Sequence, residues 1–468
     1  MVEPRPRVVA IVGGGFTGAS TAFHLARARP GAVRIVVIEP RARLGQGLAY
    51  ATADPSHRIN VPAARMTMDC ADRAGLQNWL DARQVTLTPG TCLPTGEAFV
   101  QRGLVADYIG DRLAPYLASG QVRHLRATAL SGRREGGGFV IGCDDGTTLA
   151  ADVLVIATSH PPPGIPEAFA GLTQSPHLIA DSNAAGRLSD VAQTARNVLV
   201  VGTGLTSADI IASLDRQGYP GPITALSRRG QRSRGHAFGY AESPADFARD
   251  PARTALTLLR RIRQAVRRDG QAGLPWQATL DNVRRDGPAI WTALPPDQRA
   301  ILVRRLRVWW DVHRFRIAPQ VEAVLDRLRA KGRLAIRAGR LVSARAVAGG
   351  IEVVWRGRDR QTRAETFDAV ILSTGPAHGG IVAGSPFLSS LAEAGLIRSD
   401  ALHLGLDVTN GCQAVGANGA ALPDLLVAGP LARGHIGELM GVPEVTAHAE
   451  LVAARLAELV GVEPATAG

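Results

Sequence analysis

Lysine is almost missing from this chain: Lys331 is the only one among 53 basic residues. Aromatic residues make up 4%, and only four cysteines occur, Cys70, Cys92, Cys143 and Cys412. No two of them have CxxC or zinc-ligand spacing. That excludes a sequence-local redox dithiol and a cysteine-based zinc site, and it fits a reducing compartment. No run of 18 or more apolar residues appears, so no helical membrane span is expected. The first apolar strand follows Met-Val-Glu-Pro-Arg too closely for a signal peptide, and a cytoplasmic protein is expected.

At 468 residues and 46% apolar content, the chain is long enough for two or three globular domains. Net charge is +12, with a pI of about 10.6. The excess is arginine beside abundant alanine and glycine, the pattern of a GC-rich coding sequence, and no nucleic-acid partner is expected. Arg260, Arg261, Arg263, Arg267 and Arg268 cluster at helical spacing. They read as a solvated helix face; a positive field that draws in anionic cofactor and substrate is the alternative.

Against these absences stands one loop, Gly13-Gly14-Gly15-Phe16-Thr17-Gly18. A buried-strand pattern, Val8 to Val12, precedes it, and helical spacing of apolar residues follows to Ala28. In strand–turn–helix order each glycine has a purpose. Gly13 makes the tight turn, Gly15 lets backbone approach a pyrophosphate, and Gly18 lets helix pack on strand. The phosphates then face the positive helix end. A second strand, Val33 to Ile38, ends at Glu39, 21 residues past Gly18, where a carboxylate suits an adenosine ribose. Pro40, Arg41, Gln46 and Gly47 continue into a polar loop that also carries His57 and Asn60. Both are candidates to touch a cofactor ring.

Helices are predicted around 74–82 and 104–117, then a β-meander, then a buried strand ending in Ala157-Thr158. The Pro161–Pro166 stretch marks a domain boundary. Beyond it the opening repeats: strand 197–201, then Gly202-Thr203-Gly204-Leu205-Thr206-Ser207, with Ser207 in the third glycine's place. The next strand ends in Ser227-Arg228-Arg229 instead of an acid. Arginine pairs with a 2′-phosphate that a carboxylate would repel, so this second site should prefer NADPH, with NADH possible.

Residues 236–332 read as an inserted helical subdomain holding four of the six tryptophans. Within it, Arg314 and Arg316 are candidates to hold an anion, beside His236 and Asn60 on the substrate side. The stretch 367–375 repeats the pattern of 152–158 and predicts a return to the first domain. A last strand runs into Gly429, and a helix N-terminus after it could face the flavin's pyrimidine carbonyl. The expected fold is α/β, with two Rossmann-like dinucleotide-binding domains. The first dinucleotide unit is assigned to 1–165 and 365–468, and the second to 166–364.

GGGFTG, IEPRARLGQGLAY, HRINVPAARM, SRRG, the WDVHRFR segment and the terminal AGPLARG resemble the flavoprotein family that contains FAD-dependent urate hydroxylases and nitrosuccinate-forming aspartate N-monooxygenases. The likeness spans nearly the whole chain. It departs at Ser159-His160, where such proteins usually carry Gly. The ketone-oxygenating fingerprint FxGxxxHxxxW is absent. The resemblance implies an NAD(P)H-dependent FAD monooxygenase, with FAD bound by 1–165 and 365–468 and NAD(P)H by 166–364. Dioxygen would be captured as a flavin C4a-hydroperoxide and passed to a small, anionic, nitrogen-containing substrate, urate foremost. Amino-acid N-hydroxylation, or flavin reduction without oxygen insertion, is the alternative. Neither a metal nor a protein nucleophile is implied, and the oligomeric state is left open.

Overall fold

The computed structural model describes residues 6–158, 163–182, 186–375 and 380–461. Ser159-His160 and the start of the Pro161–Pro166 stretch therefore lie outside the described residues. Strands β1 (Arg7–Val12) and β2 (Val33–Ile38) run parallel, with Val9 opposite Ile35, and the Phe16–Ala28 helix crosses between them. β3 (Val122–Leu125) extends the sheet beyond β2. β4 (Ala129–Glu135), β5 (Gly138–Cys143) and β6 (Thr148–Ala151) form a separate antiparallel meander. β7 (Val153–Ile156) returns to the other side of β1. Helices and loops cover both faces of this sheet, so β7 is buried along its whole length. Its sequence accordingly reads as a continuous apolar run rather than an alternating one.

The second sheet starts with β8 (Leu178–Ile179), β9 (Val198–Val201) and β10 (Ile223–Ser227). β11 (Leu334–Val347) is one 14-residue strand. Its first part pairs parallel with β10, and from Gly339 it pairs antiparallel with β12 (Gly350–Gly357). β13 (Thr362–Phe367) lies outside β12, and β14 (Ala369–Leu372) pairs parallel with β9. The order is β13-β12-β11-β10-β9-β14-β8. β15 (Gln413–Val415) and β16 (Ala421–Val427) then close the first sheet as β15-β16-β7-β1-β2-β3.

Two expected boundaries change. The chain does not return to the first domain at 365, because β14 adds to the second sheet and aligns Leu372 with Val201. A four-residue buried strand reads the same in either sheet, and only long-range pairing decides. The helical insert also ends earlier than 332. The Pro319–Ala330 helix buries Val321, Leu325 and Leu328 in the core that holds Ile223 and Ala225. It is the crossover that any parallel β10–β11 connection needs. The insert proper has its own small core around Phe247, Leu258, Val283 and Ile290.

The two nucleotide units are tied together directly. Arg102 Nη2 meets the buried Asp209 carboxylate at 2.8 Å. His57 sits between Thr52 Oγ1 at 2.8 Å and Ser213 Oγ at 3.0 Å. His57 is thus a joint between domains rather than a cofactor contact. Burial pushes its imidazole below the usual histidine range. No helix among the described residues is long and apolar enough to cross a membrane.

Candidate functional site

At the first loop Gly13 has φ +103°, and its N–H donates to Ile38 O at 2.9 Å. A Cβ there would lie 2.5 Å from Ala157 O, so the turn admits only glycine. On Gly18 a Cβ would collide with the Gly13 carbonyl oxygen. Gly15 caps the Phe16–Ala28 helix with no side-chain cap and no acid in the first turn. The amides of that turn have no intrahelical acceptor and are available to a phosphate. Across from Gly15 stands Gly47, whose Cα would be 3.4 Å from a Cβ on Gly15. Two glycines facing each other leave a cleft walled by backbone.

Phe16 contacts Tyr50 with ring centroids 6.3 Å apart, and Thr17 is buried against Gly429. Glu39 is buried at the end of β2. Its Oε2 accepts the Gly14 N–H at 2.9 Å, and its Oε1 accepts from the Arg41 backbone N–H and from Nη1 at 2.9 Å. Pro40 is exposed and Gln46 half-buried at the start of the short Gly47–Tyr50 helix. Ala157 backs the Gly13 turn, and Thr158 Oγ1 next to it is buried without a hydrogen-bond partner among the described residues. Facing amides, a backbone-walled cleft, a terminal carboxylate and an orphaned hydroxyl together fit an adenine dinucleotide.

The Gly429 amide is engaged within the protein. Its N–H donates to His448 Nδ1 at 3.0 Å, and the opposite ring nitrogen lies 3.3 Å from Cys412 Sγ. That amide is already used. Burial holds His448 down at about 4 and pushes the Cys412 thiol up to about 11, so the pair is neutral.

Asn60 and His236 are brought together: His236 Nε2–H donates to the Asn60 carbonyl at 3.1 Å. The Asn60 side chain makes no hydrogen bond among the described residues. His236 stacks on Phe238 at 5.7 Å and meets Phe99 edge-on. Burial, with Arg316 nearby, lowers it to about 4, so it is an uncharged donor at neutral pH.

Arg314 and Arg316 are not open to an anion as expected. Arg314 Nη2 lies 3.2 Å from Glu438 and 3.3 Å from Glu444. Arg316 Nη2 meets Asp281 at 2.7 Å and lies over Trp276. The sequence names neither set of partners, because Glu438 and Glu444 stand more than 120 residues away from Arg314. The Arg260–Arg268 cluster lies on the Ala255–Gln271 helix, where Arg261 pairs with Asp250 and Arg268 with Asp269.

The second loop repeats the first. Gly202 has φ +129°, and a Cβ there would collide with Ser373. Gly204 caps the Leu205–Arg216 helix, again with no side-chain cap and no first-turn acid. Nothing lies within 4 Å of a Cβ placed on Gly204. Ser207 is buried in the first turn. Ser227 accepts from Thr203 Oγ1 at 2.8 Å and from the Gly230 N–H at 3.0 Å, which fixes the bend after β10. Arg228 is exposed and Arg229 half-buried. Neither has a carboxylate partner among the described residues, in contrast to Arg314 and Arg316.

Residues 10–161 match a family described as FAD-NAD(P)-binding. No curated protein matches the chain in sequence. In structure it is similar to the L-lysine 6-monooxygenase of Pseudomonas syringae, at 17% identity and TM-score 0.67, over 97% of this chain and 99% of that one. An ornithine N-hydroxylase of a Kutzneria species, solved with reduced FAD, NADP+ and L-ornithine, aligns over 97% and 99% at 16% identity and TM-score 0.62. The Lactococcus lactis thioredoxin reductase aligns over 97% and 99% at 11% identity and TM-score 0.53. At these identities the likeness is one of fold. The chain has the α/β architecture of flavoproteins with two dinucleotide-binding domains.

Proposed function

We propose that this protein is an FAD-dependent monooxygenase that consumes NADPH and hydroxylates a nitrogen-bearing small molecule. The observation that carries this is the asymmetry of its two glycine loops. Both lead into helices with open first-turn amides. One is followed by a strand ending in Glu39, the other by a strand running into Arg228 and Arg229, which have no carboxylate partners among the described residues.

In this reading the amides after Gly15 hold the FAD diphosphate, and Glu39 takes the ribose hydroxyls, with Arg41 neutralising its charge. Bound FAD supplies the redox centre that accepts hydride and activates dioxygen. The amides after Gly204 hold the second diphosphate, and Arg228 and Arg229 pair with the 2′-phosphate. The Asn60 amide stands free to orient a ring or a substrate, and His236 fixes the Asn60 backbone while staying uncharged. NADH, which lacks the 2′-phosphate, would serve more slowly.

Among substrates, an amine is better supported than urate. The structurally similar monooxygenases are named for amine substrates, and the urate reading rests on sequence motifs alone. A small anionic substrate loses its main argument with Arg314 and Arg316 already facing carboxylates. Dithiol reduction is disfavoured, because the four cysteines are free and Cys143 and Cys412 are buried. The test is NADPH consumption by the FAD-loaded protein across ornithine, lysine, aspartate, urate and simple amines, with products identified by mass. Peroxide release with every substrate would overturn oxygen insertion. A colourless protein that takes up no FAD would overturn the whole proposal.

A further inference from the structure

A cavity of about 830 Å³ lies in the inserted helical region. Its walls come from the Ala255–Gln271, Trp276–Arg285 and Arg307–Arg314 helices and from the segment that follows β16. Trp276, Trp291, Trp309 and Trp310 all stand in it. None of its lining residues comes from either glycine loop.

Three observations separate it from a packing defect. First, its size is that of a site for a drug-sized organic ligand, several hundred Å³ with a mostly apolar lining. Second, one wall is a π-helical turn, Leu302–Leu306, that contributes Leu302, Val303 and Leu306. Such turns break the regular hydrogen-bond ladder and are found mostly at functional positions. Third, the wall carries a buried carboxylate, Glu438, whose Oε1 is ion-paired with Arg314 Nη2 at 3.2 Å and accepts no hydrogen bond among the described residues. Its other oxygen accepts the Trp310 Nε1–H at 3.1 Å, which fixes the carboxylate.

We infer that this cavity holds the apolar body of the substrate, an amine carrying a bulky aliphatic or aromatic group. The amine rests on the monooxygenase reading; the apolar body rests on the cavity alone. Glu438 and Met440 lie on the stretch leaving the carboxyl end of β16, and open parallel sheets bind their ligands at that end. A ligand seated here therefore has its polar end toward the first sheet and its apolar end among the tryptophans. Ornithine or lysine alone would leave most of the aromatic wall in water.

The test is calorimetric titration of the FAD-loaded protein with n-butylamine, n-hexylamine, n-octylamine and n-decylamine, and with L-ornithine. Affinity should rise about fourfold for each methylene buried. Val266→Trp and Leu259→Glu alter two partly exposed wall residues on one helix. Each should weaken decylamine at least about tenfold, leave butylamine nearly unchanged and keep the melting temperature close to that of the parent. Equal affinity across the series, tighter binding of ornithine than of any alkylamine, or unchanged decylamine binding in both variants would overturn the inference. Flavin reduction by NADPH is measured separately. Length-dependent amine binding by a protein that takes up no FAD supports the cavity assignment and overturns the monooxygenase reading alone.

Discussion

The Arg229 guanidinium lies over the indole of Trp309, 5.5 Å from the ring centroid. Trp309 is 43% exposed and lines the cavity of the insert. The end of the second nucleotide unit and the aromatic wall are therefore in contact. A cation over an exposed indole is worth roughly 0.5–1 kcal/mol, enough to orient the guanidinium but not to withhold it from a phosphate. Replacing Arg229 with Ala should raise the KM for NADPH by about tenfold or more, the value of one charge-assisted hydrogen bond, and leave the KM for NADH unchanged. Flavin reduction followed with each donor checks this. Equal losses for both donors would place Arg229 outside the 2′-phosphate site.

Gly15 and Gly18 separate binding from folding. A Cβ on Gly15 meets Gly47 Cα at 3.4 Å, an ordinary contact, and Gly15 has φ −67°. Gly15→Ala should thus leave the apo-protein's melting temperature nearly unchanged while FAD affinity falls by about tenfold or more, because the methyl occupies the diphosphate cleft. Gly18→Ala drives a methyl into the Gly13 carbonyl and should lower the melting temperature itself. Thermal melts with and without FAD distinguish the two outcomes.

Arg102 and Asp209 join the domains at 2.8 Å, with Asp209 buried and its carboxyl pushed up by desolvation. Asp209→Ala leaves a largely buried guanidinium unpaired, which costs about 3–5 kcal/mol. Scanning calorimetry should show a lower transition that splits in two as the units lose their tie. A single unshifted transition would remove this interface from the stability argument.

His448 sets part of the acid response. Its ionisation is depressed from the ordinary value of 6.5 to about 4. Between those limits the unfolded chain takes up a proton that the folded chain does not. Stability is therefore full above 6.5 and falls as the pH drops toward 4. At pH 5 the loss from this group is about 2 kcal/mol. In His448→Leu the Gly429 N–H loses its acceptor, so stability at pH 7 should fall. Its further decline from pH 6.5 to 4 should be shallower than in the parent. Urea midpoints across that range decide it, and parallel slopes would refute it.

The two nucleotide units were legible because each is written in a short span: strand, glycine turn, helix and strand end. Glu39 and Arg228 each stand just past the second strand of their unit. The placement of β14 was not legible, since Ala369–Leu372 would be equally apolar in either sheet. Arg314 and Arg316 were recognisable as basic residues near a site, but their occupancy depends on Glu438, Glu444 and Asp281, brought up by folding. The π turn and the cavity were hidden for the same reason. Leu302 to Leu306 has no residue that by itself breaks a helix, and the tryptophans read equally well as core.

The position of β16 beside β7, with Leu426 opposite Val155, makes the first sheet discontinuous in the chain, with the whole second sheet between. During synthesis the middle can reach its final form before the ends do. The opening segment must wait, with one flank of β7 unpaired, until some four hundred residues have left the ribosome. Arg7 Nη1 finally donates to Leu459 O at 2.8 Å, so the first strand and the last helix meet side by side. A permuted chain opened in the second sheet would therefore join two elements that already stand together.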